Sequence, residues 1–282
     1  MSAHSFPRSA GIFPANAAQS AARIAAIFDL DGTLLPEPSL ERRFFRELRY
    51  SRKIPLTNYL RWSIQALRLL PHGVVAVQHA NKRYLTNLST TLLYRHFDSI
   101  ALFEEGVARV AWHAQQKHEI ILLSGTLEPL ARLAATALEC ELEARGLRIQ
   151  PWICATQLAE KRGRWTGYLQ DQAIAGPAKA RALQTLAQHA RLNLRESHAY
   201  ANSLLDRHLF GIVGHPHVVN PGKALAAFAN EQNWPILHWH IEKPIPRMDS
   251  SRTNFTASTS SDTSFRTNSA NTNPSFRTES AK

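Results

Sequence analysis

Short apolar runs recur along the chain, each ending where small or charged residues begin. Ile24 to Phe28 is apolar throughout and stops at Asp29-Leu30-Asp31-Gly32. That is the pattern of a strand buried on both faces, with a loop at its C-terminal end. Glu119 to Leu123, ending at Ser124-Gly125-Thr126, repeats the pattern, and Pro151–Ala155, Ser197–Ala201, Gly211–Gly214 and Pro235–His238 supply further candidate strands. Between them, Leu127–Arg145 and Ala178–Ala190 carry apolar residues at helical spacing. The alternation predicts an α/β fold, a Rossmann-like parallel sheet with helices on both faces.

One stretch interrupts it. From Leu40 to Leu102 the apolar positions Phe44, Phe45, Leu48, Tyr59, Leu60, Ile64 and Leu67 keep a helical period with no strand between them. This predicts an inserted helical cap over residues 40–102, with residues 23–39 and 103–247 forming the sheet domain. Residues 248–282 are rich in Ser, Thr and Asn and contain the near-repeat Ser264–Ala270 and Ser275–Ala281. They bury too little apolar area to offset chain entropy, so a disordered tail is expected. The first 22 residues read as a flexible extension, because Pro7, Gly11 and Pro14 break up any signal-like apolar segment.

The charge balance adds a partner class. With 33 Lys and Arg against 22 Asp and Glu, the net charge is +11, which favours anionic partners. Between Glu41 and Arg68, Arg42, Arg43, Arg46, Arg49, Arg52, Lys53, Arg61 and Arg68 face only Glu41 and Glu47. These read as a solvated helix face or as a patch for a substrate or an anionic membrane surface. No nucleic-acid readout motif accompanies them, so no specific nucleic-acid partner is expected. No apolar stretch approaches the roughly 20 residues of a membrane span. Cys140 and Cys154 form no C-x-x-C pair, and the His spacing is not that of a zinc motif; a reducing, cytoplasmic setting follows. The sequence leaves the oligomeric state open.

The chemistry sits at strand ends. Asp29 and Asp31 are two positions apart where a strand turns into a loop, so one carboxylate can face a bound phosphorus while the other reaches a leaving oxygen. An EF-hand is excluded, since its sixth and twelfth positions are Leu34 and Leu40 here rather than Gly and Glu. A nucleotide-sugar transferase could also hold a metal through such a pair. Later strand ends add Ser124 and Gly125, then Lys179 opening a helix after Gly176-Pro177, then Asn202 and Asp206. Taken singly, Ser124 could be a helix N-cap and Lys179 a solvated lysine; in order, the four segments form a constellation.

These residues resemble the haloacid-dehalogenase superfamily, in the branch related to phosphoserine phosphatase with a helical cap, from about Ile24 to Trp239. The first motif matches Asp29, Asp31, Gly32 and Thr33, the second Ser124, the third Lys179. Cys154 to Lys179, with Thr166-Gly167 as a hairpin turn, and His215–Pro221 also look like this branch. The fourth motif departs: Asn202 stands where the family has a carboxylate, four residues before Asp206. The resemblance implies a phosphatase acting on a small phosphate monoester, with Asp29 as nucleophile and Asp31 as general acid and base. It implies Thr33, Ser124, Gly125 and Lys179 as phosphate ligands, and Mg2+ at Asp29, Asp31, Asn202 and Asp206. The drifted metal site admits a catalytically silent phosphate-ester-binding protein instead, and the basic cap admits a lipid-phosphate phosphatase at a membrane surface. Glu37, Glu41, Arg42, Arg43, Arg46 and Trp62 are the candidates for the substrate entrance.

Overall fold

The alternation of side chains along the central strands builds two cores. In β1 (Ala25–Phe28), Ala26 and Phe28 point to one side and Ala25 and Ile27 to the other. In β2 (Glu119–Leu127), Ile120 and Leu122 separate from Ile121 and Leu123 in the same way. A strand buried on both faces must be apolar at every position, which is why these runs are continuous. The computed structural model describes residues 22–95 and 100–240. The expected N-terminal extension (except Ala22) and C-terminal tail lie outside the described residues.

Six parallel strands form the sheet in the order β3-β2-β1-β6-β7-β8. Here β3 is Trp152–Thr156, β6 His198–Ala201, β7 His215–Val219 and β8 Ile236–Leu237. Helices α4 (Glu104–Gln115) and α5 (Glu128–Ala144) bury Val107, Val110, Leu130 and Leu138 in the first core. On the other face α6 (Pro177–Ala190), α7 (Arg207–Phe210) and α8 (Lys223–Glu231) bury Leu183, Leu209, Phe210 and Leu225. The sheet is Rossmann-like, with helices on both faces. The chain runs outward from β1 to β2 and β3, then returns to place β6 on β1's other side. That reversal opens a crevice at the C-terminal strand ends.

The expected strand over Gly211–Gly214 is corrected to His215–Val219. Gly211 caps α7, and a Cβ on Gly214 would sit 1.6 Å from the Arg195 carbonyl oxygen, so this stretch is a tight connection.

Among its described residues the inserted segment holds α1 (Leu40–Tyr50), α2 (Leu56–Leu69), α3 (Val74–Ala80) and three 3-10 turns, Leu70–His72, Arg83–Leu85 and Thr90–Arg95. Leu40, Phe44 and Leu48 form the buried stripe of α1. Asn58, buried in α2, donates to the carbonyls of Tyr84 (3.1 Å) and Thr86 (2.7 Å). A hairpin from much later in the chain, β4 (Leu158–Lys161) with β5 (Arg164–Leu169), docks on this segment. Asn87 donates to the Trp165 carbonyl and Trp165 to that of Leu88, while Trp165 packs edge-on against Phe44. The hairpin turns at Arg162-Gly163, both at positive φ, not at Thr166-Gly167. Gly167 lies within β5 instead, where a Cβ would come 2.3 Å from Thr86 Oγ1.

Candidate active site

Asp29 follows β1 directly, and its amide donates to the Tyr200 carbonyl of β6 at 2.9 Å, so two central strands fix its backbone. Only 6% of the residue is exposed. Gly176, at φ +54, and Pro177 start α6 so that Lys179 projects back to the strand ends. Its buried Nζ lies 2.9 Å from Asp29 Oδ1 and 2.9 Å from Asp206 Oδ1. Burial alone would lower the ammonium's pKa. The carboxylates of Asp206 and Asp29 outweigh it and hold Lys179 charged, above the usual lysine range. Lys179 is therefore a buried bridge between two acids, and its reading as a solvated lysine is set aside.

Asp31 is held differently. Its Oδ1 accepts the Leu40 amide at 2.8 Å, at the first turn of α1, and its Oδ2 accepts the Thr126 hydroxyl. Burial pushes the Asp31 carboxyl up to about 6, against those two hydrogen bonds and with the help of the Asp29 charge. A carboxyl in that range exchanges protons near neutral pH, as a general acid and base must.

Ser124 is buried in β2 with its Oγ accepting the Thr126 amide at 3.2 Å. The N-cap of α5 is Leu127, so Ser124 is not the helix cap. Its hydroxyl proton is left to donate into the crevice. At Gly125 a Cβ would come 3.1 Å from His79 Nδ1 and 3.2 Å from the Ile174 carbonyl, so a side chain here would crowd both neighbours. Thr156 secures this loop from below, donating to the Gly125 carbonyl (2.8 Å) and accepting the Ile174 amide (3.0 Å).

Asn202 follows β6 and packs on Gly32, whose φ is +78; a Cβ there would lie 1.9 Å from Asn202 Nδ2. Asp206 is buried, and its Oδ2 has no hydrogen-bond partner among the described residues. Such an orphaned anionic oxygen, in a cavity wall that also holds Asp29 and Asn202, fits a hard cation with oxygen ligands.

A cavity of about 940 Å³ joins these groups to the inserted segment. Its wall includes Asp29, Asp31, Ser124, Gly125, Lys179, Asn202 and Asp206. Thr33 is the exception among the expected site residues. It is fully buried, outside the wall, with a hydroxyl that has no partner among the described residues. From the expected entrance set, Glu37, Glu41, Arg42 and Trp62 line the cavity. Arg43 instead clamps the backbone through the Pro38 carbonyl at 2.7 Å, and Arg46 faces solvent.

Sequence reasoning missed Thr126, although it stands two residues after Ser124. It also missed Lys82, a fully buried ammonium paired with Glu41, which in turn accepts the Tyr84 hydroxyl at 3.2 Å. His79 and Asn81 of the same segment complete the roof.

The chain belongs to the haloacid dehalogenase-like hydrolase family, whose model matches residues 26–210. It is similar to a probable phosphatase of Mycobacterium tuberculosis, 25% identical over 242 residues, covering 81% of this chain and 79% of the relative. Among solved structures, a protein of unknown function from Bordetella pertussis Tohama I superposes with a TM-score of 0.61 at 22% identity, covering 77% of this chain and 99% of that one. A phosphoserine phosphatase determined as a phospho-aspartyl intermediate analogue shares the fold, with a TM-score of 0.51 at 17% identity over 77% of this chain and 93% of that one.

Proposed function

We propose that this protein is a Mg2+-dependent phosphatase that hydrolyses a small phosphate monoester through an aspartyl-phosphate on Asp29. The observation that carries the reading is the division of labour between two acids two residues apart. Asp29 is ion-paired to Lys179, whereas Asp31 is turned away onto Leu40 and Thr126 with its pKa raised to about 6.

In this reading Lys179, Ser124 and the Gly125 amide hold the phosphoryl oxygens. An Asp29 carboxylate oxygen attacks phosphorus, the ester P–O bond breaks, and Asp31 gives its proton to the departing alkoxide. Asp31, now ionised, takes a proton from water as that water attacks the acyl phosphate, which frees inorganic phosphate and restores Asp29. Asp29, Asp206, the Asn202 amide oxygen and the Asp31 backbone carbonyl would hold Mg2+, which supplies charge neutralisation for the phosphoryl group. The inserted segment and the hairpin act as the cap that closes the crevice from water.

The test is turnover of p-nitrophenyl phosphate with millimolar Mg2+, expected to fall by at least about 10³-fold in Asp29→Asn. Equal rates for the two proteins would remove Asp29 as nucleophile. Retained binding of a phosphate ester without turnover at any Mg2+ concentration would favour the silent binding protein.

A second reading of the substrate class rests on α2. Leu56, Leu60, Ile64 and Leu67 are 86%, 63%, 42% and 67% exposed on one face of that helix, continued by Leu70 and Val74. The stretch Leu56–Leu69 contains Arg61 and Arg68 and no acid, and Arg49, Arg52 and Lys53 precede it, all exposed. An apolar stripe with basic flanks suits the surface of an anionic membrane, where the substrate would be a lipid phosphate. No helix among the described residues is long and apolar enough to cross a membrane. Co-sedimentation with phosphatidylserine vesicles at low salt, reduced at least about tenfold by Leu60→Glu, is expected on this reading. No sedimentation of the unaltered protein would leave a soluble ester as the substrate.

A further inference from the structure

The opposite end of the sheet carries a second concentration of ligand-forming side chains. His198 opens β6 and His215 opens β7, paired in register, and Tyr200 pairs with His217 two residues on. Alternation puts all four rings on one face of the sheet. His198 stacks on His215 at 4.6 Å, and Tyr200 on His217 at 4.5 Å. The last turn of α4 lowers His113 onto this face, and the chain returns through His118 immediately before β2. His113, His118 and His198 each offer a ring nitrogen or two, and one from each lies within 4.8 Å of the others.

We propose that His113, His118 and His198 form a binding site for a transition-metal dication of the Zn2+ class, separate from the acidic site at the C-terminal strand ends. His198 pairs with Ala26, three residues before Asp29, so the two sites lie roughly 10 Å apart along β1.

Three imidazoles select Zn2+, Co2+, Ni2+ or Cu2+ over Mg2+, which prefers oxygen ligands. The surrounding hydrogen bonds suit metal ligation. His113 Nε2 is bonded to the Tyr200 hydroxyl at 2.9 Å, and His198 Nδ1 to His217 Nε2 at 3.2 Å, so two of the three rings are oriented by an outer partner. His113 Nδ1 and His118 Nδ1 already face each other at 2.8 Å. In a tetrahedral site with Zn–N bonds of about 2.0–2.1 Å the donors sit about 3.3 Å apart, a change that side-chain rotation can make. Burial, reinforced by the neighbouring imidazoles and Arg109, lowers His113 to about 2 and His198 to about 4, and burial also lowers His118. The rings are therefore neutral at physiological pH, the form in which imidazole binds metal. His118 and His198 are part-exposed, which gives the ion a path in, and three protein ligands leave a fourth position for water. Arg109, with its guanidinium 5.9 Å over the Trp112 ring, is the cation that opposes a dication here.

The test is titration of the full, untagged chain with Co2+ in saturating Mg2+, which fills the acidic site, followed by visible spectroscopy. One equivalent of Co2+ should give the intense bands of four-coordinate cobalt, and Zn2+ should erase them. His118→Ala and His198→Ala should weaken binding by more than about tenfold and Tyr200→Phe by about 10–100-fold. Asp29→Asn and His215→Ala should keep the bands, and Arg109→Ala should tighten binding. His118→Ala should also keep its far-ultraviolet circular dichroism and its phosphatase turnover, which separates a lost ligand from a lost fold. Only weak six-coordinate bands in the unaltered chain, bands that survive in His118→Ala or His198→Ala, or bands lost in Asp29→Asn would overturn the assignment.

Discussion

The ion-paired centre is most directly probed by Lys179→Met, which keeps the side chain's length and removes its charge. Lys179 Nζ is 2.9 Å from both Asp29 and Asp206, and the three side chains are 6%, 8% and 2% exposed, so water cannot take the ammonium's place. Removing one partner of a buried ion pair costs about 3–5 kcal/mol, because the remaining charge stays buried and uncompensated. For a chain of this size about 2–4 °C in Tm accompanies each kcal/mol, so thermal unfolding near pH 8 should begin about 6–20 °C lower.

The loss must also depend on pH. Burial already pushes the Asp206 carboxyl above its ordinary 3.8, with the Lys179 charge pulling it back, so removal of Lys179 raises it further. An acid with a higher pKa in the folded than in the unfolded state binds more protons when folded. Stability is then retained below the unfolded value and lost as pH rises through the folded one. The deficit should therefore be small near pH 4, where the raised Asp206 carboxyl is protonated, and full near pH 8. Circular dichroism melts of both proteins across this range make the measurement. A Lys179→Met protein that melts within about 2 °C of the unaltered chain near pH 8, or with the same deficit at both ends of the range, would refute the bridge.

Two further substitutions test other parts of the molecule. Asn202→Asp should lower the Mg2+ concentration for half-maximal turnover by at least about tenfold, measured by Mg2+ titration of p-nitrophenyl phosphate hydrolysis. Gly167→Ala should destabilise the chain by about 1–3 kcal/mol, read by urea unfolding, because its Cβ meets Thr86 Oγ1 at 2.3 Å and its φ of +79 suits glycine; an unchanged midpoint would mean that the hairpin does not press on the inserted segment.

The sheet was legible where burial on both faces forces continuous apolar runs, as at Ile24–Phe28 and Ile120–Leu123. It was misread where two glycines framed Ile212-Val213, while the true strand beside them, His215–Val219, hides behind His215, Pro216 and His217. Asp29, Lys179 and Asp206 could be found because strand ends and helix starts mark them locally, and the cavity joins them. Thr126 and the Glu41–Lys82 pair could not, since a side chain's bonding depends on which segment folds over it. The histidine trio is illegible for the same reason: His113 and His118 lie on one side of the sheet's crossover and His198 some 80 residues later, a separation no metal-motif spacing describes. Ser124 shows a different limit, a residue whose local sequence left a helix cap open beside a strand-end ligand until its tertiary setting put it in a strand that lines the cavity.

Charge counting suggests what Asn202 does in such a site. Asp29 and Asp206 share a single ammonium, which leaves one net negative charge around the orphaned Asp206 oxygen. With an amide as the neighbouring ligand, a bound dication turns that centre net positive, whereas a fourth-motif carboxylate would leave it neutral. A centre of this kind attracts Mg2+ less strongly in the free enzyme and a dianionic phosphate ester more strongly once the metal is in place. The two effects oppose each other, so Asn202→Asp should tighten Mg2+ while raising the KM for the ester at saturating Mg2+. A variant in which both affinities rise together would show that Asn202 acts through its packing on Gly32 rather than through its missing charge.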